Sequence, residues 1–221
     1  MDIDAALDWA GRLSCGCSEA EYAWMYETIM DAPDVENATV LEIGSWTGPG
    51  TVVMAAACQE RGFNMVSLDT WHLGLVEGQG HISVDQGKDQ FWLFRNNTQR
   101  LIDAGLRPVV TQVVANSQIV GKFLDVSPLV FLWIDAGHGY PAALVEFRDF
   151  GEALVRGGVV GFHDAQEKNG AALCIKQLQD AGDLDGYTEV DLPALGTMPP
   201  VRPGSTIDHT GPWWTRAWRR G

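Results

Sequence analysis

Two apolar runs in this sequence each finish in a histidine and an aspartate. Leu129–Ile134 stops at Asp135, and His138 follows between Gly137 and Gly139. Val159–Phe162 stops at His163-Asp164. Neutral imidazole, with an unperturbed pKa of ~6.5, accepts a proton near neutral pH. A single histidine of this kind would suit a loop hydrogen bond. Two, each beside an acid at the end of an apolar run, point to chemistry, so His138 and His163 are the candidate general bases. A third run, Thr39–Ile43, carries Glu42 and opens into Gly44-Ser45-Trp46-Thr47-Gly48-Pro49-Gly50. A fourth, Asn64–Leu68, ends in Asp69.

The glycine spacing after Glu42 is G-x-x-x-G-x-G. It is not the G-x-G-x-x-G of dinucleotide sites, which offer bare amides to a pyrophosphate. An acid ahead of the first glycine repels phosphate but suits a ligand with an amino group. An acid such as Asp69 can accept hydrogen bonds from both ribose hydroxyls. S-adenosylmethionine has an amine, a sulfonium and a ribose, and no phosphate. The loop therefore favours that cofactor over NAD.

These residues need elements to position them. Residues 2–13 read as a short amphipathic helix. Ser18 and Glu21 form a capping box for a helix running to about Met30. Strands follow at 39–43, 64–68, 109–114, 129–134 and 159–162. Helices lie between them at 51–61, 90–104 and 142–155, the last closed by Gly157-Gly158, and another follows at 169–180. Strands apolar on both faces are those of a buried parallel sheet. Strands alternating with helices predict a doubly wound, mainly parallel α/β sheet, Rossmann-like, preceded by N-terminal helices at about 2–31. The whole chain, 1–221, reads as one domain with its core at about 38–221. Residues 70–88 read as a long loop of the kind that serves function. The last forty residues are expected to hold the final antiparallel strands. The Trp/Arg-rich tail reads as a segment folded over an apolar groove.

Composition narrows the function classes. A net charge of −14 disfavours a phosphate-backbone partner. No apolar stretch approaches the ~20 residues of a membrane span. The acidic N-terminus does not read as a signal peptide, so a cytoplasmic location is expected. Cys15, Cys17, Cys58 and Cys174 read as reduced packing thiols.

With the strand ends read together, the sequence resembles class I S-adenosylmethionine-dependent methyltransferases. VLEIGSWTG at 40–48 is similar to their first motif and SLDTW at 67–71 to their second. FLWIDAGHGY at 131–140 and GGVVGFHD at 157–164 resemble a small-molecule O-methyltransferase branch that includes macrocin O-methyltransferase-like and cephalosporin hydroxylase-like proteins. The resemblance covers about residues 38–165. It implies that Glu42, Gly44, Ser45 and Gly48 frame the methionine part of the cofactor. Asp69 and Thr70 would lie at the ribose and Asn116 and Ser117 at the adenine. Trp71 would wall the cofactor or pack, and Asp135 would border it. It also implies that Asp135 and Asp164 hold a divalent metal. His163 stands where an oxygen ligand is usual, so a softer ion than magnesium is expected if one binds. Glu146 and Arg148 read as solvated pairs.

The expected reaction is methyl transfer to the hydroxyl of a small-molecule acceptor, with no nucleic acid and no membrane. A homo-oligomer stays open. Two other readings stand beside it: a hydroxylase or oxidoreductase on the same fold, and a catalytically idle cofactor-binding module.

Overall fold

The computed structural model describes residues 1–13, 17–71, 90–103, 110–136, 140–165, 170–192 and 215–221. Helices α1 (Ile3–Arg12) and α2 (Glu19–Met30) precede strand β1 (Thr39–Ile43). Then come α3 (Pro49–Arg61), β2 (Asn64–Asp69), α4 (Gln90–Asp103), β3 (Val110–Val114) and the single turn α5 (Ser117–Val120). The chain continues through β4 (Leu129–Ile134), α6 (Ala142–Phe150), β5 (Leu154–Phe162), α7 (Gly170–Ala181), β6 (Tyr187–Glu189) and β7 (Arg216–Arg220).

The seven strands form one sheet in the order β3-β2-β1-β4-β5-β7-β6. The first five strands of the chain run parallel. β7 inserts antiparallel between β5 and β6. Strand order reverses between β1 and β4, and ligands of such sheets bind in that crevice, beyond the carboxyl ends. The doubly wound expectation holds.

Alternate residues of each strand enter opposite layers. Val40, Met65, Phe131 and Trp133 pack with α1, α2 and α3 on one face. Leu41, Leu68, Leu132, Ile134 and Phe162 pack with α6 and α7 on the other. Every residue of β1 and β4 is buried. The carboxyl ends of β1 and β4 are thus fixed by strands covered on both faces.

The structure corrects two local expectations. The helix expected over 142–155 ends at Phe150, and β5 already begins at Leu154. Gly157-Gly158 does not close a helix. It sits in a bulge, where Leu129 pairs with Leu154 but Phe131 pairs with Val159. Gly157 takes φ +83° there, a conformation that favours glycine. The last forty residues do hold the expected antiparallel strands, β6 and β7, but the Trp/Arg-rich tail is itself β7 rather than a segment folded over a groove, and Trp218 is buried edge-on to Phe162. Arg216 stacks over Trp218 and pairs with Glu189. Trp213 and Trp214 lie outside the described residues, as does the loop expected at 70–88 beyond Trp71. Cys17, Cys58 and Cys174 are buried free thiols. Among the described residues no helix is long and apolar enough to cross a membrane.

Candidate active site

β1 delivers the glycine loop into the crevice. Gly44 has φ +92°, and a Cβ there would lie 2.5 Å from the Ala136 nitrogen. The loop after β1 therefore runs against the loop after β4, which the Asp135 N–H bond to the Ile43 carbonyl also ties down. Gly48, again at φ +92°, leaves room for the Phe94 ring. Asn97 of α4 donates to the Thr47 carbonyl at 2.7 Å. Phe94 and Asn97 hold the loop from outside, and only the apolar periodicity of α4 hinted at the first. The Thr47 hydroxyl is buried without a partner among the described residues.

Glu42 lies beneath this loop, 2% exposed. Its Oε2 accepts from Thr51 at 2.5 Å and from Ser67 at 3.0 Å. Burial pushes its carboxyl up to about 7, against those hydrogen bonds. Ser45 and Ser67 share a short hydroxyl contact beside it. Glu42 therefore braces the loop with at least one of its oxygens.

Asp69 is a stitch between two strand ends. Its Oδ2 accepts the N–H groups of Ser45 and Trp46, each at 2.8 Å, and its Oδ1 accepts that of Trp71 at 2.8 Å. A carboxylate has about four acceptor positions, so roughly one remains for a ligand hydroxyl. Trp71 is buried against Phe94 and donates its indole N–H to the Trp46 carbonyl. It packs and pins the loop. Thr70 is half-buried at the same edge. Asp69→Asn places an amide donor against a backbone donor. It should lower stability by about 1.5–3 kcal/mol, the range for hydrogen bonds to a charged group. Urea unfolding measures this, and an unchanged midpoint would deny Asp69 its bracing role.

Trp46, Trp71 and Asp164 all have positive φ, +47°, +39° and +52°. For bulky side chains that is unusual backbone, and such strain gathers at functional edges. All three follow the carboxyl ends of sheet strands.

At the end of β3, Asn116 caps α5 by accepting the Gln118 N–H at 2.9 Å. Ser117 is buried and donates to Glu146 Oε1 at 2.6 Å. Glu146 is 1% exposed, not the solvated residue the sequence suggested. Burial raises its carboxyl to about 7. Arg148 does pair at the surface, but with Asp183.

Asp135 and His163 meet at 2.9 Å, Oδ1 to Nδ1. Asp164 Oδ1 is 3.8 Å from the same nitrogen, and Nε2 faces Glu21 Oε1 at 3.7 Å. Glu21 is fully buried and also accepts from Ser18 and Thr215. Burial favours the neutral His163 ring, but the Asp135 charge and hydrogen bond lead the opposing influences, and its pKa is raised well above the usual value. A buried ring with Asp135 on Nδ1 and Glu21 facing Nε2 orients its neighbours and is poorly placed to take a proton from an acceptor. His138 lies outside the described residues.

A sheet of this order, with an antiparallel strand beside β5 and a glycine loop after β1, is the fold of class I methyltransferases. Residues 41–165 match a family described as a methyltransferase domain. That span is more than half of the chain, and the chain belongs to this methyltransferase family. Solved structures share the fold at low identity. Cofactor-bound Rv0187 from MTB is 18% identical, with 98% of this chain and 88% of that one covered at a TM-score of 0.61. The SAM-dependent O-methyltransferase TM0748 of Thermotoga maritima is 14% identical, with 97% and 71% covered at 0.62. The O-methyltransferase NovP is 13% identical, with 92% and 80% covered at 0.62.

Proposed function

We propose that this chain transfers the methyl group of S-adenosylmethionine to a hydroxyl oxygen of a small molecule. One observation carries the reading. The glycine loop braced by Glu42 and Asp69 lies directly beside the Asp135–His163–Asp164 cluster, across the crevice between β1 and β4. A cofactor held on the loop side would bring its methyl group to the cluster side. The unpartnered Thr47 hydroxyl supplies a buried polar group for the amino-acid part of such a ligand. The likeness to the O-methyltransferases TM0748 and NovP supports oxygen as the acceptor atom. The charge of −14 supports a small molecule over a nucleic acid.

The chemistry is an in-line displacement. The hydroxyl oxygen forms a bond to the methyl carbon as the carbon–sulfur bond breaks. The electron pair stays on sulfur, which leaves as a thioether, and the hydroxyl proton goes to a base. His138 is the residue we assign to that proton. Holding the reactants in line supplies much of the rate. Calorimetry should show binding of S-adenosylhomocysteine and none of comparable strength for NAD. A preference for NAD would favour the oxidoreductase reading instead.

Asp135, His163 and Asp164 present ligand atoms within 4.8 Å of one another, a donor set that fits a divalent cation. Two carboxylates and an imidazole suit manganese, iron or zinc better than magnesium. A cation held by these residues would lower the pKa of the acceptor hydroxyl. It would compete with protons for the His163 ring and the carboxylates, so affinity should rise with pH. Dialysis against EDTA should abolish turnover, manganese should restore it, and Asp164→Asn should weaken manganese binding. Full turnover in EDTA would leave the acids as orienters of His163 alone.

A further inference from the structure

The Ser117–Glu146 pair lies outside the groups that move the methyl or the proton, yet it is built with care. A serine hydroxyl has one proton and two lone pairs. Here the proton is committed inward, to Glu146 Oε1 at 2.6 Å. Glu146 accepts that bond when its carboxyl is ionised, and also when it is neutral with the proton on Oε2. It is 1% exposed, and its Oε2 is buried with no partner among the described residues. Burying a carboxyl is costly in a way that an apolar packing residue would not be, so a purely structural pair is a poor account of it. Held this way, Ser117 offers only lone pairs to whatever lies above the end of β3.

The sheet order suggests what lies there. The Asp135–His163–Asp164 cluster is at the ends of β4 and β5, and the loop that would hold the cofactor is at the end of β1. A cofactor whose reactive sulfonium faces the cluster has its nucleoside on the opposite side, over the ends of β2 and β3. Asn116 and Ser117 occupy that edge. Adenine carries an amine, a donor, at its 6-position. Hypoxanthine carries a carbonyl, an acceptor, at the same place.

We propose that Glu146 sets the base preference of the cofactor site by fixing Ser117 as an acceptor for the 6-amino group of adenine. Glu146 is a positioning residue, and its effect passes through the Ser117 hydroxyl. The inference rests on the S-adenosylmethionine reading above.

The test compares calorimetric binding of S-adenosylhomocysteine and S-inosylhomocysteine. Wild type should prefer the adenosyl compound by about tenfold to a hundredfold, the discrimination a mismatched buried polar group gives. Glu146→Met keeps the bulk but frees the Ser117 hydroxyl to rotate, so the preference should fall to about threefold or less. Ser117→Ala, which removes the hydroxyl, should lose the preference equally. A wild-type preference retained in either folded variant would overturn the proposal while leaving the methyltransferase reading intact. No binding of S-adenosylhomocysteine by wild type would remove that reading and this inference together.

Discussion

Gly44→Ala should lose about 2–5 kcal/mol of stability and most of the affinity for S-adenosylhomocysteine. Two costs combine. A left-handed backbone costs a residue with a Cβ about 1–2 kcal/mol, and forcing extra volume into a packed site adds about 1–3 kcal/mol. The second cost is hard to relieve here, because the new Cβ meets the Ala136 nitrogen and the Asp135 carbonyl carbon at 2.5 Å. Those are backbone atoms tied to β1 by the Asp135 N–H bond. Relief must move either the glycine loop, with its two N–H bonds to Asp69, or the strand end that carries Asp135. Both movements damage the proposed cofactor site. Gly48→Ala is the milder comparison: its φ is the same, but its new Cβ meets the Phe94 ring at 3.1 Å, and a side chain can yield. Urea unfolding and calorimetry on the two variants should rank Gly44 well above Gly48. Equal, small losses would mean that the two loops do not need their close approach.

That close approach was not readable in the sequence, although the glycine was. The two central strands were legible because each is a short apolar run buried on both faces. β1 and β4 were read to their final residues for this reason. β5 was not, because Gly157-Gly158 serves equally well as a helix stop or a bulge in local terms. Only pairing with β4 decides between them. Strand-end residues were legible as a set, since a parallel sheet sends all its carboxyl ends to one edge. Their partners were not. Glu146 stands in the run Glu-Phe-Arg-Asp, where a charged residue normally faces solvent. Its burial depends on Ser117, 29 positions away. Glu21 was legible as half of a capping box, and that box is present. Its second role, against Thr215 and His163, spans most of the chain. Local pattern reports which residues turn or cap; long-range contact decides which of them face one another.

The same limit separates the two histidines, and it sharpens the expected result for His138→Ala. From the sequence, His138 was the first candidate for the base and His163 the other. His163 is buried, with Asp135 on Nδ1 and Glu21 facing Nε2, so both ring nitrogens are turned to carboxylates, and Asp135 leads the influences that raise its pKa against burial. A base must be unprotonated at the working pH and within reach of the acceptor. The proposed role is therefore assigned to His138, three residues beyond Asp135 and flanked by two glycines in the sequence. His138→Ala should lower kcat by ~10²–10⁴-fold, the usual contribution of a positioned acid or base. In wild type, activity should rise with pH through an apparent pKa near the ~6.5 of imidazole, and the variant should lose that limb. In the proposed mechanism His138 serves the acceptor, so affinity for S-adenosylhomocysteine should change little. His163→Gln behaves differently in this mechanism. It removes the partner of Asp135 and disturbs a buried cluster, so it should lower stability and kcat together without removing the pH limb. If His138→Ala kept the wild-type rate and pH profile, the proton would have to leave by another route. A loss of the pH limb in His163→Gln alone would return the role to the buried ring.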